Sequence, residues 1–331
     1  MSGFVRLKPS YDLVIVGGGH AGLQSAHKAA LLRRSSVVID RGPKYSRSYY
    51  APRMANIPGF PGGISGHHLL ELQLKAVRES SAWASYVAPA RASSAEKTET
   101  GYAVTFDWLG QTHRVEGRAL VLAMGVVDRV VEIGGKIDPI FPWANQAIVD
   151  FCEICDGHDL AGKSVGVIGH DAFAARTALD LLEFAPSAVE LLSHGKRPLA
   201  GVADEERLEL ERRLAEHGIR WQESEMVGFD EIREHRFGVR FADGSHRSYD
   251  RGFSALGWYD MHDALPRSLG CRFDEEGFVS TDEDCRALSE AEGTAIDGLY
   301  VVGDLRSGWN QVPEAWSTAE RAVIHAWSAY L

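Results

Sequence analysis

The feature that most constrains the fold is a glycine-rich turn between an apolar segment and a helix-forming one. The apolar run Asp12 to Val16 is typical of a strand, and the next six residues, GGGHAG at 17–22, fit the pattern G-x-G-x-x-G. In such a turn Gly17 permits the tight bend, Gly19 lets a pyrophosphate approach the backbone, and Gly22 lets the helix pack on the strand. The pattern therefore predicts a strand-turn-helix unit that binds a phosphate-bearing nucleotide.

The segment after this turn completes the unit. A helix-compatible stretch runs from His20 to about Arg34, and a second apolar strand, Ser36 to Asp40, follows it. Strand, helix and strand in this order form a βαβ unit with a parallel sheet. Asp40 ends the second strand, where an acidic residue can accept hydrogen bonds from the ribose of a dinucleotide. We therefore predict a dinucleotide site that includes Asp40.

A second βαβ unit begins with the strand Ser164 to Ile168. Its turn reads Gly169-His170-Asp171, so an aspartate occupies the position of the middle glycine. A side chain there adds bulk and negative charge where a pyrophosphate would meet the backbone. We therefore predict that NAD(P)H binding in the usual pose is disfavoured in this unit. Two interpretations stay open, namely a structural domain without a ligand and a domain that holds a different ligand or a rearranged pose.

Length and charge agree with two such units in one chain. The chain has 331 residues, about twice the ~100–200 residues of a typical domain. Its 35 basic and 46 acidic side chains leave a net charge of −11, which argues against nucleic acid and anionic membranes because both attract cationic surfaces. The apolar runs are far shorter than the roughly 18 residues of a membrane span, and the N-terminus does not resemble a signal peptide. We expect a cytoplasmic protein.

A Cys-x-x-Cys segment carries the clearest chemical signal. Cys152 and Cys155 flank two residues and are followed by Asp156. Two thiols at this spacing, at a helix N-terminus, can form a reversible disulfide, and Asp156 is suited to transfer the proton that thiol exchange requires. Zinc would need two more ligands, and Cys271 and Cys285 form no second pair of this kind. We predict redox chemistry at the first pair, no metal, and no role for the second two cysteines.

Three further sequence motifs, together with the two described above, make the chain similar to a known protein family. They are Asn56-Ile57-Pro58-Gly59-Phe60-Pro61, Ala123-Met124-Gly125 and Gly303-Asp304. With the first glycine turn and the Cys-x-x-Cys-Asp-Gly segment, the chain resembles the low-molecular-weight thioredoxin reductase family of flavoproteins almost end to end. The three motifs are similar to the family's loop beside the flavin, its Ala-Thr-Gly crossing and its Gly-Asp at the FAD ribityl chain. The resemblance implies that Asn56, Gly125 and Asp304 contact FAD.

The family resemblance also implies a fold and a domain organisation. The expected fold class is α/β, with two Rossmann-like nucleotide-binding domains of the three-layer ββα type. The FAD-binding domain would be discontinuous and comprise residues 1–126 and 251–331. An inserted NAD(P)-binding-like domain, residues 127–250, would carry the two cysteines. We also expect a homodimer, with Trp309 and Trp316 as core or dimer contacts.

The resemblance assigns roles to the redox residues. Cys155 would lie against the flavin and exchange electrons with it, whereas Cys152 would attack or release a disulfide of a thioredoxin-like or other partner. Asp156 would be the acid/base. His158, next to the motif, either assists proton transfer or is solvated or capping.

The last helix is expected to support the flavin electrostatically. Asn310-Gln311-Val312 stands where the family has Arg-Gln-Ala, so the backbone N–H groups of Gln311 and Val312 would face the negative edge of the reduced flavin. The arginine is missing, which weakens that support. The family's Gly-Gly-Gln-Leu stretch is also missing, and tyrosines that could stack on a flavin or simply pack occupy the region instead: Tyr45, Tyr49 and Tyr50.

The sequence thus predicts an FAD-dependent disulfide oxidoreductase whose electron donor is not NADPH. Ferredoxin as the donor and a second FAD in the NADPH position both stay open. The net charge of −11 disfavours an acidic ferredoxin unless a local basic face overrides it; its candidate residues are Lys196, Arg197, Arg212 and Arg213. Alternative functions are a dithiol oxidase that uses oxygen, an NADPH-dependent thioredoxin reductase despite the altered turn, and a non-enzymatic flavin-binding sensor.

Overall fold

The computed structural model describes residues 7–331. In chain order its strands are β1 Ser10–Val16, β2 Ser36–Ile39, β3 Ala84–Val87, β4 Ala90–Lys97, β5 Tyr102–Trp108, β6 Gln111–Leu122, β7 Val127–Asp128, β8 Val149–Asp150, β9 Ser164–Ile168, β10 Ala188–Leu192, β11 Arg220–Gln222, β12 Met226–Asp230, β13 Phe237–Phe241, β14 His246–Tyr249, β15 Arg251–Ser254, β16 Trp258–Asp260, β17 Arg286–Leu288 and β18 Ala295–Val301. The α-helices are α1 His20–Leu31, α2 Gly66–Glu79, α3 Phe141–Ala144, α4 Glu153–Asp156, α5 Ala172–Asp180, α6 Asp204–Glu216, α7 Ala264–Ser268 and α8 Val312–Ala329.

The chain divides into two compact units. Residues 7–49, 66–127 and 260–331 form the first unit, and residues 50–65 and 128–259 form the second. The segment 50–65 therefore groups with the inserted part of the chain, which the sequence motifs did not indicate. Among the described helices, none combines the length and the apolar composition that a membrane crossing requires.

The first unit is built on a mostly parallel sheet. Strands β18, β6, β1, β2 and β3 lie side by side and parallel, and β17 adds an antiparallel edge. In this register Val14 of β1 faces Leu120 on one side and Val37 on the other. All three side chains are buried, as expected for a parallel sheet that is covered on both faces. The carboxyl ends of β1 and β2 therefore meet at the glycine turn.

Three layers make up the first unit. Apolar residues of α1, α2 and α8, among them Leu23, Leu70 and Val323, pack with Leu13 and Ile15 on one face of the sheet. On the other face, the antiparallel strands β4 and β5 contribute a second buried cluster. This α/β arrangement confirms the predicted fold class for the first unit.

The second unit repeats the design with a smaller sheet. Strands β11, β10, β9, β15 and β8 are all parallel. Helices α5 and α6 pack on one face through Ala178 and Leu214, and the antiparallel strands β12, β13 and β14 pack on the other through Phe237 and Tyr249. The predicted parallel βαβ unit after residue 164 is therefore present. The second unit is also mixed α/β.

Two predicted elements differ from the structure. The sequence pattern at Gly277 to Ser280 predicts a strand, but only isolated bridges occur there, because the Asp274 carboxylate accepts backbone hydrogen bonds and folds the segment into a turn. The sequence pattern also predicts a helix from Ala172 to Phe184, but the α-helix ends at Asp180 and tightens into a 3₁₀ turn, after which Ala185 adopts a left-handed conformation with φ of 51°.

Candidate active site

The glycine turn of the first unit has the steric properties predicted for it. Gly17 has φ of +103°, and a Cβ there would lie 2.3 Å from the Ala123 carbonyl oxygen. A Cβ on Gly22 would lie 1.9 Å from the Gly17 carbonyl oxygen, so this glycine is required by the close approach of helix and strand. A Cβ on Gly19 would meet only the Ser46 hydroxyl, at 3.5 Å. The side of the turn at Gly19 is therefore open.

Asp40 is buried and holds the loops around the turn together. One carboxylate oxygen accepts a 3.0 Å hydrogen bond from the Gly18 N–H, and the other accepts bonds from the Gly42 N–H at 3.0 Å and the Tyr86 hydroxyl at 2.5 Å. Each carboxylate oxygen has two lone pairs, so the oxygen bonded to the Gly18 N–H can accept one more hydrogen bond. The ribose contact predicted for Asp40 stays a prediction, and the three protein contacts were not foreseen.

The residues present fit an FAD molecule at this turn. The N-terminus of the long helix α1 starts at an N-cap, Gly19, that supplies no side-chain acceptor for the first N–H groups, which is the arrangement that receives a pyrophosphate. Gly125 has φ of +61° and open space on its Cβ side. At the start of α8, Gln311 is the N-cap and Val312 the first helical residue, as predicted. Asp304 lies in a 3₁₀ turn, with Arg47 at 3.4 Å.

A buried histidine beside the glycine turn was missed by the sequence interpretation. Nδ1 of His20 lies 2.5 Å from Oε1 of Gln73, and Nε2 lies 2.7 Å from the Ser48 hydroxyl. Because an amide oxygen only accepts, Nδ1 donates and Nε2 accepts, and burial lowers the pKa of His20, so the ring is neutral. Trp316 packs edge-on against this ring. The sequence feature that could have indicated this site is the histidine within the glycine motif at 17–22.

The aromatic residues predicted near the flavin have different environments. Tyr49 packs edge-on against His67, in keeping with the packing interpretation. Tyr45 and Tyr50 are exposed, and Arg41 lies over the Tyr45 ring. Of the two tryptophans, Trp316 is half-buried against His20, and Trp309 is 71% exposed.

The second unit brings Cys152 and Cys155 together as a disulfide. Their Cα atoms are 5.3 Å apart, within the usual range for a bridged pair. The backbone N–H groups of Cys155 and Asp156 both donate to the Cys152 carbonyl oxygen, which closes the single turn of α4. Both cysteines are half-buried. The three residues predicted as catalytic, Cys152, Cys155 and Asp156, therefore share one short turn. Of the residues predicted to bind the cofactor, Asn56 lies in the second unit. The others lie in the first unit: Gly17, Gly19, Gly22, Asp40, Gly125, Asp304, Gln311 and Val312.

Asp156 is a carboxyl group with an altered affinity for protons. Burial is the main cause that raises its pKa to about 6, and the Asp159 charge adds to the shift. His158, Arg251 and Arg53 oppose it. The carboxyl group therefore exchanges its proton close to neutral pH, which is the property required of an acid/base in thiol chemistry.

Asp150 is a second carboxyl group in the same cluster and was not predicted. Burial raises its pKa to about 8, and the charges of Asp156 and Asp159 raise it further, against the effects of Arg251 and Lys163. Two neighbouring carboxyl groups with separated pKa values can hold one proton between them near neutral pH. An aspartate two residues before the first cysteine was the sequence signal that could have identified it.

His158 caps the redox turn. Its Nδ1 lies 3.2 Å from the Cys155 carbonyl oxygen, so Nδ1 donates, and its Nε2 lies 3.7 Å from the Asp159 carboxylate. The ring is exposed. Of the two interpretations of this histidine, the contacts favour capping.

The second glycine turn is closed by its own aspartate. Asp171 is the N-cap of α5, and its carboxylate accepts a 3.1 Å hydrogen bond from the Ala174 N–H. A Cβ on Gly169 would lie 2.4 Å from the Ala174 Cβ, so this glycine serves packing of the helix on the strand. The position that would face a pyrophosphate therefore holds a fixed negative charge.

One group of side chains has the spacing of metal ligands within residues 7–331, and it does not include a cysteine. It consists of Asp230, Glu231 and His246. Arg240 lies 3.4 Å from the Asp230 carboxylate and Arg236 lies 3.8 Å from that of Glu231. Both acids therefore already have cationic partners.

Comparisons with known proteins define the class. The model of the pyridine nucleotide-disulphide oxidoreductase family matches residues 11–322, and the chain belongs to this family. A thioredoxin reductase of Treponema pallidum (strain Nichols) is 23% identical over 329 residues, 98% of either chain. One of Aquifex aeolicus (strain VF5) is 23% identical over 307 residues, which cover 92% of this chain and 88% of the relative.

Solved structures share the fold. The thioredoxin reductase of Streptococcus pyogenes MGAS5005 superposes with a TM-score of 0.79 at 19% identity, over 97% of this chain and 98% of that one. HlmI superposes with a TM-score of 0.76 at 22% identity, over 99% and 94%. The predicted class is confirmed: the chain is a thioredoxin reductase-like, FAD-dependent disulfide oxidoreductase.

Proposed function

We propose that this protein passes electrons between FAD, the Cys152–Cys155 pair and the disulfide or dithiol of a partner, with a donor other than NADPH. The observation that carries the proposal is the disulfide on the same turn as Asp156, whose pKa of about 6 suits it to proton transfer. The partner class is a thioredoxin-like protein or another disulfide, as the names of the relatives suggest.

In the direction of disulfide reduction, Cys152 attacks first. Its thiolate forms a bond to one partner sulfur and releases the other as a thiolate, which gives a mixed disulfide. The Cys155 thiolate then attacks the Cys152 sulfur, restores the Cys152–Cys155 disulfide and releases the second partner thiol. Bound FAD supplies the two-electron exchange that reduces this disulfide again.

Asp156 moves the protons of these steps. At neutral pH its carboxylate is largely ionised, since its pKa is about 6, and it accepts the proton of the attacking thiol at a carboxylate oxygen. It returns that proton to the leaving thiolate. His158 holds the turn by its bond to the Cys155 carbonyl oxygen.

The proposal of a donor other than NADPH is supported by Asp171. Its carboxylate caps α5 where a pyrophosphate would bind, so a nucleotide phosphate would meet a like charge. A ferredoxin donor would need a cationic docking face. Arg212 contributes little to one, because it is paired with Glu209 and Glu216. Lys196 and Arg197 are exposed.

We also propose a homodimer in the cytoplasm. The exposed ring of Trp309 is a candidate dimer contact. Cys271 and Cys285 are buried free thiols, a state that a reducing compartment maintains. Sedimentation equilibrium of the wild-type protein and of Trp309→Ala tests the dimer; a monomeric wild-type protein at micromolar concentration would refute it.

An anaerobic titration tests the proposed redox function. After the ratio of flavin to protein is measured, NADPH, reduced ferredoxin and dithiothreitol are added separately while the flavin absorbance is followed. We expect dithiothreitol to bleach the flavin in the wild-type protein and not in Cys155→Ser, and NADPH to bleach it slowly or not at all. Rapid bleaching by NADPH would contradict the proposed donor, and no bleaching by dithiothreitol would contradict disulfide chemistry.

A further inference from the structure

A buried histidine links the glycine turn to two other segments of the first unit. His20 is the first residue of α1 and is 7% exposed. Its Nδ1 lies 2.5 Å from Oε1 of Gln73 in α2, and its Nε2 lies 2.7 Å from Oγ of Ser48. Ser48 belongs to the loop at 41–49, which follows β2. The ring therefore connects this loop to the N-terminus of α1.

The directions of these hydrogen bonds follow from the orientation of Gln73. Its Nε2 donates to the His20 carbonyl oxygen at 3.3 Å, so its Oε1 is the atom that faces the ring. Nδ1 of His20 therefore donates to Oε1. Because burial lowers the pKa of His20, the ring is neutral and Nε2 carries no proton. Ser48 must then donate its hydroxyl proton to Nε2, and the Ser48 oxygen can only accept further hydrogen bonds.

Ser46 carries the next hydroxyl of this network. Its Oγ lies 3.4 Å from Oγ of Ser48, which is a long contact, and its side chain makes no other hydrogen bond within residues 7–331. Since Ser48 has already donated its proton to His20, Ser46 is the donor in this contact. The hydroxyl proton of Ser46 is therefore held weakly and can turn to a better acceptor.

The position of Ser46 directs this donor to the open side of the glycine turn. A Cβ on Gly19 would lie 3.5 Å from the Ser46 Oγ, and among the described residues beyond its chain neighbours it would meet no other atom within 4 Å. Gly19 is the glycine whose missing side chain lets a pyrophosphate approach the backbone. A charged phosphate oxygen accepts a stronger hydrogen bond than a neutral hydroxyl does. A pyrophosphate at this turn would therefore replace Ser48 as the acceptor for Ser46.

We propose that the hydroxyl of Ser46 donates a hydrogen bond to the FAD pyrophosphate, and that His20, through Ser48, is the positioning residue that holds this loop at the glycine turn. The proposal rests on FAD binding, which membership of the family establishes, and not on the electron donor or the partner. The alternative is that Ser46 only packs the loop, in which case its hydroxyl would have no effect on bound FAD.

Variants of Ser46 test the phosphate contact in the FAD-loaded protein. Ser46→Ala should speed the release of FAD from diluted holoprotein, followed by flavin fluorescence, by roughly ten- to a hundredfold, because a hydrogen bond to a charged group is lost. It should also move one of the two phosphorus NMR resonances of bound FAD. Ser46→Thr keeps the hydroxyl and should retain the wild-type values of both. Ser93→Ala, which removes from β4 a hydroxyl with a single 3.2 Å hydrogen bond, should change neither.

The results for Ser46 separate the proposal from its alternatives. Unchanged release and unchanged phosphorus resonances in Ser46→Ala would refute the phosphate contact. Faster release with unchanged resonances would place the hydroxyl at another part of FAD and would refute it as well. Where Ser46→Ala retains no FAD after purification, Ser46→Cys takes its place, because a thiol is a weaker donor than a hydroxyl.

Two amide side chains at position 20 test the positioning role. His20→Gln brings an amide oxygen near the position of Nε2 and can still accept from Ser48, whereas His20→Asn keeps only a donor to Gln73. Both variants lose the ring that packs against Trp316, so they should lose similar stability in urea unfolding. We expect His20→Asn to release FAD roughly five- to tenfold faster than His20→Gln. Equal release rates would show that His20 acts on stability alone and would overturn its positioning role.

Discussion

The carboxylate of Asp171 accepts a 3.1 Å hydrogen bond from the backbone N–H of Ala174. The first turn of α5 therefore carries its own anion. In the first unit the equivalent turn at Gly19 supplies no side-chain acceptor to α1. The two turns thus share a strand-turn-helix backbone. They differ in whether a side chain caps the N–H groups at the helix N-terminus or leaves them for a ligand.

Replacing Asp171 should restore nucleotide binding. We expect Asp171→Gly to tighten NADPH binding by roughly tenfold, about 1.4 kcal/mol, because a like charge is removed from the phosphate position. Glycine is nearly as good an N-cap as aspartate, so the free energy of unfolding should fall by only a few tenths of a kcal/mol. NADPH titration and urea unfolding measure the two effects. Asp204→Ala, which removes an acid from the start of α6, is the matched control; equal NADPH affinity in both variants would contradict the prediction.

Asp156 should set the pH dependence of thiol exchange. Burial raises its pKa to about 6, so the carboxylate that accepts the thiol proton forms as pH rises through this value. The rate of single-turnover thiol exchange between the reduced protein and a disulfide should therefore rise with pH, with an inflection near pH 6. Asp156→Asn should lose that inflection and slow exchange by roughly 10²-fold.

Asp159→Asn is the control for this measurement. The charge of Asp159 raises the pKa of Asp156, so the variant should move the inflection to lower pH and keep most of the rate. An unchanged profile in Asp156→Asn would show that another group accepts the proton.

Asp150 should make the protein less stable as pH rises. Burial raises the pKa of Asp150 from its ordinary value of 3.8 to about 8 in the folded protein, so the folded state binds more protons than the unfolded state between these two pH values. The free energy of unfolding should therefore fall as pH rises through that window. Asp150→Asn should remove this dependence and be more stable than the wild type at pH 8, by at least about 1 kcal/mol.

Asp250→Asn provides a comparison, because the pKa of Asp250 is lowered and its effect on the pH dependence of stability has the opposite sign. Hydrogen bonds from the Ser164 N–H and hydroxyl hold the pKa of Asp250 below its usual value. This variant should lose stability at neutral pH and approach the wild type in acid. Urea unfolding over a pH series measures both variants, and parallel pH profiles in Asp150→Asn and wild type would contradict the prediction.

His20 should be required for the stability of the first unit. His20→Ala removes two buried hydrogen bonds and a packed ring, so the free energy of unfolding should fall by roughly 2–4 kcal/mol. Burial lowers the pKa of His20, so the unfolded state binds a proton at this histidine more readily than the folded state does. The free energy of unfolding of the wild-type protein should therefore decrease as pH falls below about 6.5. His217→Ala, at an exposed position, should cost less than about 0.5 kcal/mol in urea unfolding. Equal costs in the two variants would contradict the role of the network.

The turns and the redox motif were predictable because their causes are local. Gly22 is required by the Gly17 carbonyl oxygen in the same strand-turn-helix segment, and the φ of +103° at Gly17 belongs to the turn itself. A Cys-x-x-Cys spacing fixes two thiols within a single helical turn, so the disulfide between Cys152 and Cys155 follows from the sequence pattern.

The remaining site features depend on contacts between distant segments. His20 binds Ser48 and Gln73, and Asp40 binds Tyr86, so each network joins parts of the chain that no local pattern connects. The pKa of Asp150 depends first on burial in the folded unit. Likewise, the strand expected near Gly277 failed because a single carboxylate, Asp274, outweighs an apolar pattern.

The glycine that ends the redox motif has a consequence for natural sequence variation. A Cβ on Gly157 would lie 2.4 Å from the Phe184 ring, although neither residue carries a reactive group. Any larger residue at 157 would therefore require the ring at 184 to move or to be replaced by a smaller side chain. We expect these two positions to change together among homologues, so that the redox motif can lose its glycine without losing its chemistry.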